Sequence, residues 1–196
     1  MKKIALQAFL FLLTISTYGQ KFTVSVDYSS ENQELQDYFM FENIDYYKYN
    51  FSGKDLKGKD YLLTVKEMWH GKMTNLDTIV DSRNSRKIAD STFKFRVLAK
   101  KTKENQLKMQ FRFPGFSTTK FFTSTDSEKY SLREIVALQN KNKESGKKIY
   151  LMAYILPYKQ GNYLMYCAVD SSEYKPEEWG EKFNIEHYLI FEMKFI

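Results

Sequence analysis

The residues able to do chemistry are few and far apart. The chain of 196 residues holds two histidines, His70 and His187, and one cysteine, Cys167. Two histidines and a carboxylate could make a zinc site. Here, however, His70 stands beside Gly71 in a turn, and His187 lies far along the chain on an alternating apolar run. No ligand spacing joins them, so the expected metal is none. A Cys167–His187 thiol–imidazole pair would need adjacent strands and an electropositive pocket. Cys167 instead sits in an apolar run and reads as a small core residue. Glu177, Glu178 and Glu181 surround Trp179. Acids beside an aromatic ring have the composition of a sugar-contacting loop, and two carboxylates held across a cleft would cleave a glycosidic bond. Distance along the chain does not set that separation, so no catalytic residue is assigned.

Cofactor chemistry finds no footing either. There is no Walker loop, no dinucleotide fingerprint and no Gly-x-Ser-x-Gly elbow, and the segment Asp55 to Asp60 has lysines where calcium would need oxygen ligands. The expected cofactors are none. The compositional excess is aromatic, at 17%, with 15 Tyr and 16 Phe. Phenylalanines fall on alternating positions and read as core. Tyrosine offers an apolar face with a polar tip, suited to sugars or protein partners. The candidate ligand-binding residues are therefore Tyr46, Tyr47, Tyr49, Tyr150, Tyr154 and Trp179.

Such side chains must be held by a scaffold, and most of the chain alternates with period two. Phe22 to Tyr28, Ile44 to Phe51, Tyr61 to Trp69, Met73 to Asp81, Phe93 to Ala99, Leu107 to Phe113 and Phe116 to Thr125 read as strands. The last strand spans about 183–196, with His187, Leu189, Phe191, Met193 and Phe195 on one face. Glu31 to Phe41 fits either a short helix or a loop. Ser131 with Glu134 makes a capping box ahead of Leu132, Ile135, Val136 and Leu138, which predicts a helix over about 131–144. Lys148 to Val169 reads as a hairpin. Ile149, Leu151, Ala153 and Ile155 are assigned to one face of its first strand, and Tyr150, Met152, Tyr154 and Leu156 to the other. A strand apolar on both faces needs a cover on each side, and the helix is the expected cover for one. The fold class is mainly β: an antiparallel β-sandwich or open barrel of about nine strands with one packed helix.

The first stretch is set apart from this scaffold. Lys2 and Lys3 precede an apolar run from Ile4 to Ile15, and small residues at Thr17 and Gly19 suit signal-peptidase cleavage before Gln20. The division is 1–19 as signal peptide and 20–196 as a single antiparallel β domain. The mature chain is expected to be exported, periplasmic or extracellular, with no transmembrane segment. The net charge is +6. Cleavage removes two lysines and no acid, leaving +4, and the basic residues read as solvated loop ends. No nucleic-acid partner is expected of such a chain. One cysteine cannot close an internal disulfide, so packing must hold the fold.

A leader ending in Tyr18, Gly19 and Gln20 before a β-rich, cysteine-poor domain resembles the small uncharacterised secreted proteins of Gram-negative anaerobes. That resemblance implies a periplasmic or surface location. It also implies O-glycan acceptors at Thr78 in Asp77-Thr78-Ile79 and at Ser91 in Asp90-Ser91-Thr92. Two functions follow from the chain as a whole. One is a non-enzymatic binding module of the envelope, contacting a glycan, a small apolar ligand or an envelope protein. The other is a small polysaccharide-acting hydrolase or lyase, in which His187 or His70 would meet two of Glu177, Glu178 and Glu181 beside a tyrosine.

Overall fold

Strands rich in Val, Ile, Phe, Tyr and Thr make up most of the molecule, and they pair antiparallel throughout. A computed structural model describes residues 21–138, 143–166 and 173–196. The proposed leader, Cys167 and the distal part of the expected hairpin lie outside these residues. The first sheet contains β1 (Lys21–Tyr28), β2 (Asp45–Ser52), β5 (Thr92–Lys101), β6 (Gln106–Phe113), β7 (Phe116–Thr123) and β9 (Lys143–Glu144). Its order is β7-β6-β5-β2-β1-β9. The second sheet contains β3 (Tyr61–Trp69), β4 (Lys72–Asp81), β8 (Ser131–Glu134), β10 (Lys148–Ile155) and β13 (His187–Phe195), in the order β4-β3-β13-β10-β8. A separate small hairpin joins β11 (Tyr158–Gln160) to β12 (Tyr163–Met165). Among the described residues two short α-helices, α1 (Gln33–Phe41) and α2 (Trp179–Phe183), accompany the sheets. No helix among the described residues is long and apolar enough to cross a membrane.

The two sheets face each other across an aromatic core. Phe195 of β13 meets Phe22, Phe51 and Phe93 of the first sheet, with centroid separations of 4.9, 5.2 and 6.2 Å. Phe191 meets Phe111 at 5.5 Å and Phe122 at 6.3 Å. Each such ring withdraws enough apolar surface to contribute about 2–3 kcal/mol. β13 lies at the centre of its sheet, between β3 and β10, and every residue from His187 to Met193 is buried. The architecture is thus an open sandwich.

Three sequence expectations are corrected here. The stretch from Ser131 does not form a helix over 131–144. Ser131–Glu134 is β8, which pairs with β10, and a 3₁₀ turn follows at Val136–Leu138. Local capping chemistry is still visible, since Glu134 Oε1 accepts from the Ala137 amide at 2.9 Å. Pairing with β10 outweighs the helical alternative, because Leu132 and Ile135 become fully buried that way. Second, among the described residues β10 does not pair with the run that follows it. Its partners are β13 and β8. Third, the register of β10 against β13 shifts between Tyr150 and Met152. This bulge reverses the alternation. Tyr150 lies opposite Glu192 on the outer face, while Tyr154 lies opposite Leu189 on the inner face.

The need for two covers on β10 holds, since all its residues from Leu151 to Ile155 are buried. The outer cover is the 173–183 segment rather than the expected helix. Tyr188 anchors it: its hydroxyl donates to the Pro176 carbonyl at 3.0 Å and accepts from the Gly180 amide at 3.0 Å. The β3–β4 turn closes on the same segment. His70 and Gly71 both have positive φ, as a two-residue hairpin turn with matching twist demands. A Cβ on Gly180 would lie 2.6 Å from the Gly71 backbone, so only glycine allows this contact. An ion cluster pins the segment further. Lys66 contacts Glu177 and Glu192, the latter at 2.6 Å, Lys148 contacts Glu192 at 2.9 Å, and Tyr150 donates to Glu177 at 3.0 Å.

Candidate functional site

At one end of the sandwich the inward-facing positions stop being apolar. On β2, Phe51 and Tyr49 are core, Tyr47 is half-buried, and Asp45 carries the same parity to the sandwich edge. The edge strand β8 arrives there. The Leu132 amide donates to Asp45 Oδ2 at 2.8 Å, and the Tyr47 hydroxyl donates to the Leu132 carbonyl at 3.1 Å. Side chains of one sheet thereby satisfy backbone groups that an edge strand of the other would leave open. Burial pushes the Asp45 carboxyl up to about 6, against the hydrogen bond from Leu132 and the nearby Arg133, which both lower it. Burial, and then Asp45 itself, push the Tyr47 phenol up to about 12.

Helix α1 forms the outer lip. Asn32 caps it by accepting from the Leu35 amide at 3.1 Å. Phe39 packs on Tyr46 of β2 at 5.2 Å, and no α1 residue is fully buried. Between α1, the end of β1 and the loop before β8 lies a cleft of about 420 Å³, lined by Tyr28, Gln36, Phe39, Asn43, Asp45 and Tyr130 among others. Aromatic, amide-bearing and acidic residues thus line a single concavity. The Tyr28 ring lies 5.0 Å from that of Tyr47, and Arg133 lies 5.6 Å over the Tyr166 ring beside them.

Tyr130 links the cleft to a buried polar chain. Its hydroxyl lies 2.6 Å from His187 Nδ1 and accepts from the Thr125 amide at 3.1 Å. His187 Nε2 lies 3.5 Å from Glu67 Oε1 without a formed hydrogen bond, and the Trp69 indole donates to the same oxygen at 3.0 Å. Trp69 lies along the imidazole at 4.1 Å. Glu67 is held below the ordinary carboxylate range, chiefly by His187. This row of Tyr, His and Glu has the order of a proton relay. Its chemistry is inward, however. His187 is fully buried, Tyr130 is raised by burial, and the phenol oxygen is already occupied by Thr125 and His187. The row positions Tyr130 as a wall of the cleft.

The sequence candidates are dispersed by the fold. Tyr47 and Tyr154 lie at this end, with the Tyr154 ring 5.7 Å from Tyr130. Tyr49 is fully buried and stacked on Phe95 at 5.1 Å. Tyr46 faces outward under Phe39, and Tyr150 faces outward in the Glu177 cluster. Trp179 is fully buried within the outer cover. His187 meets Glu67, not Glu177, Glu178 or Glu181, and His70 occupies the β3–β4 turn. Among the described residues no group of three His, Cys, Asp or Glu could hold a metal. Tyr28, Gln36, Asn43, Asp45 and Tyr130 were not singled out in the sequence. Asp45 left one signal there, a charge in phase with the inward positions Tyr47, Tyr49 and Phe51. No protein-family model, curated protein or solved structure matches the chain.

Proposed function

We propose that the chain is an exported binding module of the bacterial envelope, and that its ligand is a glycan held in the α1-end cleft. One observation carries this reading: the aromatic residues Tyr28, Phe39 and Tyr130 line the same cleft as the polar residues Gln36, Asn43 and Asp45. Stacking surfaces with a few converging polar groups are what a sugar ring requires. The scaffold supports the reading too, because Tyr28 and Asp45 stand on strands and Gln36 and Phe39 on a capped helix.

A glycan array with the purified chain tests it. Binding to a defined set of oligosaccharides is expected, with a loss of at least tenfold in Tyr28→Ala and Asp45→Asn. No binding, or binding that ignores both substitutions, would refute the cleft as the site.

A protein partner is the second reading, and α1 favours it. Leu35, Tyr38, Met40 and Phe41 are all exposed there, Phe41 at 83%. An apolar helix face rimmed by acids is a form that protein partners recognise. Retention of an envelope protein that is lost in Tyr38→Ser/Phe41→Ser would favour it over the glycan.

A further inference from the structure

The outward face of the first sheet collects positive charge that is spread through the sequence. The cross-strand register sets Lys48 of β2 opposite Arg96 of β5, and Arg96 opposite Arg112 of β6. It also sets Lys100 opposite Lys108, while Lys94 stands two residues from Arg96 on the same face. Directly paired residues on neighbouring strands lie about 5 Å apart. Like charges at that spacing oppose folding, so a sheet that keeps them in one row sacrifices stability. Asp27 of β1 stands opposite Lys48 at one end of the row, and further compensation is sparse. Lys100 reaches Glu42 at 3.0 Å, and Lys48 and Lys108 lie over the rings of Tyr46 and Phe121. Among the described residues Lys94, Arg96 and Arg112 form no ion pair, and all three are exposed.

The face is also concave at that row. A groove of about 420 Å³ is lined by Lys48, Lys94, Arg96 and Arg112, with Asp27 and Glu31 also on its wall. We infer that this groove binds an acidic polysaccharide, a linear chain bearing carboxylate or sulfate groups, laid across β2, β5 and β6. Charge complementarity supplies the attraction, and Arg96 and Arg112 supply planar, bidentate donors for each anionic group. Asp27 stands opposite Lys48 at the β1 end of the row, so a single strand gains most by running over Arg96 and Arg112 towards β6, away from the two acids. A broad anionic bilayer laid on the same face would meet those acids, and Glu42 beyond them. The inference does not depend on the α1-end cleft, whose lining shares no residue with this groove.

Affinity for dextran sulfate and polygalacturonate, measured at low salt with neutral dextran as control, tests it. The expected result is binding to both acidic polymers and not to dextran, weakening steeply with added salt. Arg96→Ser/Arg112→Ser should lose at least tenfold while folding at least as stably, since it relieves a like-charge pair. Lys54→Ala/Lys57→Ala removes the same charge from an exposed turn elsewhere and should leave binding within about twofold. No binding to either acidic polymer would overturn the inference. So would an equal loss in both double variants, or a preference for a single-stranded oligonucleotide or for anionic phospholipid vesicles.

Discussion

Asp45 shows how one side chain ties stability to site chemistry. Its carboxyl is raised from 3.8 to about 6, mainly by burial. The native chain therefore keeps a proton that the unfolded chain has already released over that window. The stability this provides is complete below about pH 4 and is lost as pH rises through about 6. The loss should be on the order of 3 kcal/mol across that window. Asp45→Asn should flatten it, measured as urea midpoints between about pH 4 and 7. Equal pH slopes in the two proteins would contradict the buried placement of this group. Nothing in the local sequence sets that burial, because it depends on β8, nearly ninety residues away. The basic row has the same origin. Lys48, Arg96 and Arg112 read as unrelated residues until β2, β5 and β6 are in register.

Elements were most legible where the alternation was long and the pairing local. The hairpin of β3 and β4 and the meander of β5, β6 and β7 follow from period-two runs broken by turn residues. Elements that depend on distant partners were not. Ser131 to Leu138 carries a sound helix signature, yet β8 forms because β10 offers a free edge and Asp45 and Tyr47 satisfy Leu132. The bulge in β10 is likewise invisible in an unbroken apolar run, and it decides that Tyr150 and Tyr154 face opposite ways. Outward Tyr150 joins the ion cluster that holds the 173–183 cover. Glu192 is 3% exposed there and depends on Lys66 and Lys148. Lys66→Met should cost about 3 kcal/mol by leaving that carboxylate undercompensated, and Lys66→Met/Glu192→Leu should recover most of it. Chemical denaturation of the three proteins measures both. A single variant as stable as the native chain would show the cluster to be solvent-screened.

At the scale of the molecule, the sandwich divides labour between its surfaces. The inner faces form an aromatic core, the 173–183 segment covers the outer face of the second sheet beside Tyr150 and Tyr188, and the outer face of the first carries the basic row. The end where α1, Tyr28, Asp45 and Tyr130 meet is concave and chemically mixed. A site made from the ends of β1 and β2, a helix lip and a loop some ninety residues later has no signature along the chain. The aromatic excess announced that rings would matter without saying which. The most direct test of the cleft is amide chemical-shift mapping by NMR as a hexasaccharide chosen from the array is added. Shifts centred on Tyr28, Gln36, Asn43, Asp45 and Tyr130, and absent around Trp179 and Tyr150, are the expected result. Shifts centred on the 173–183 segment instead, or no localised shifts at saturating sugar, would contradict the assignment of this cleft.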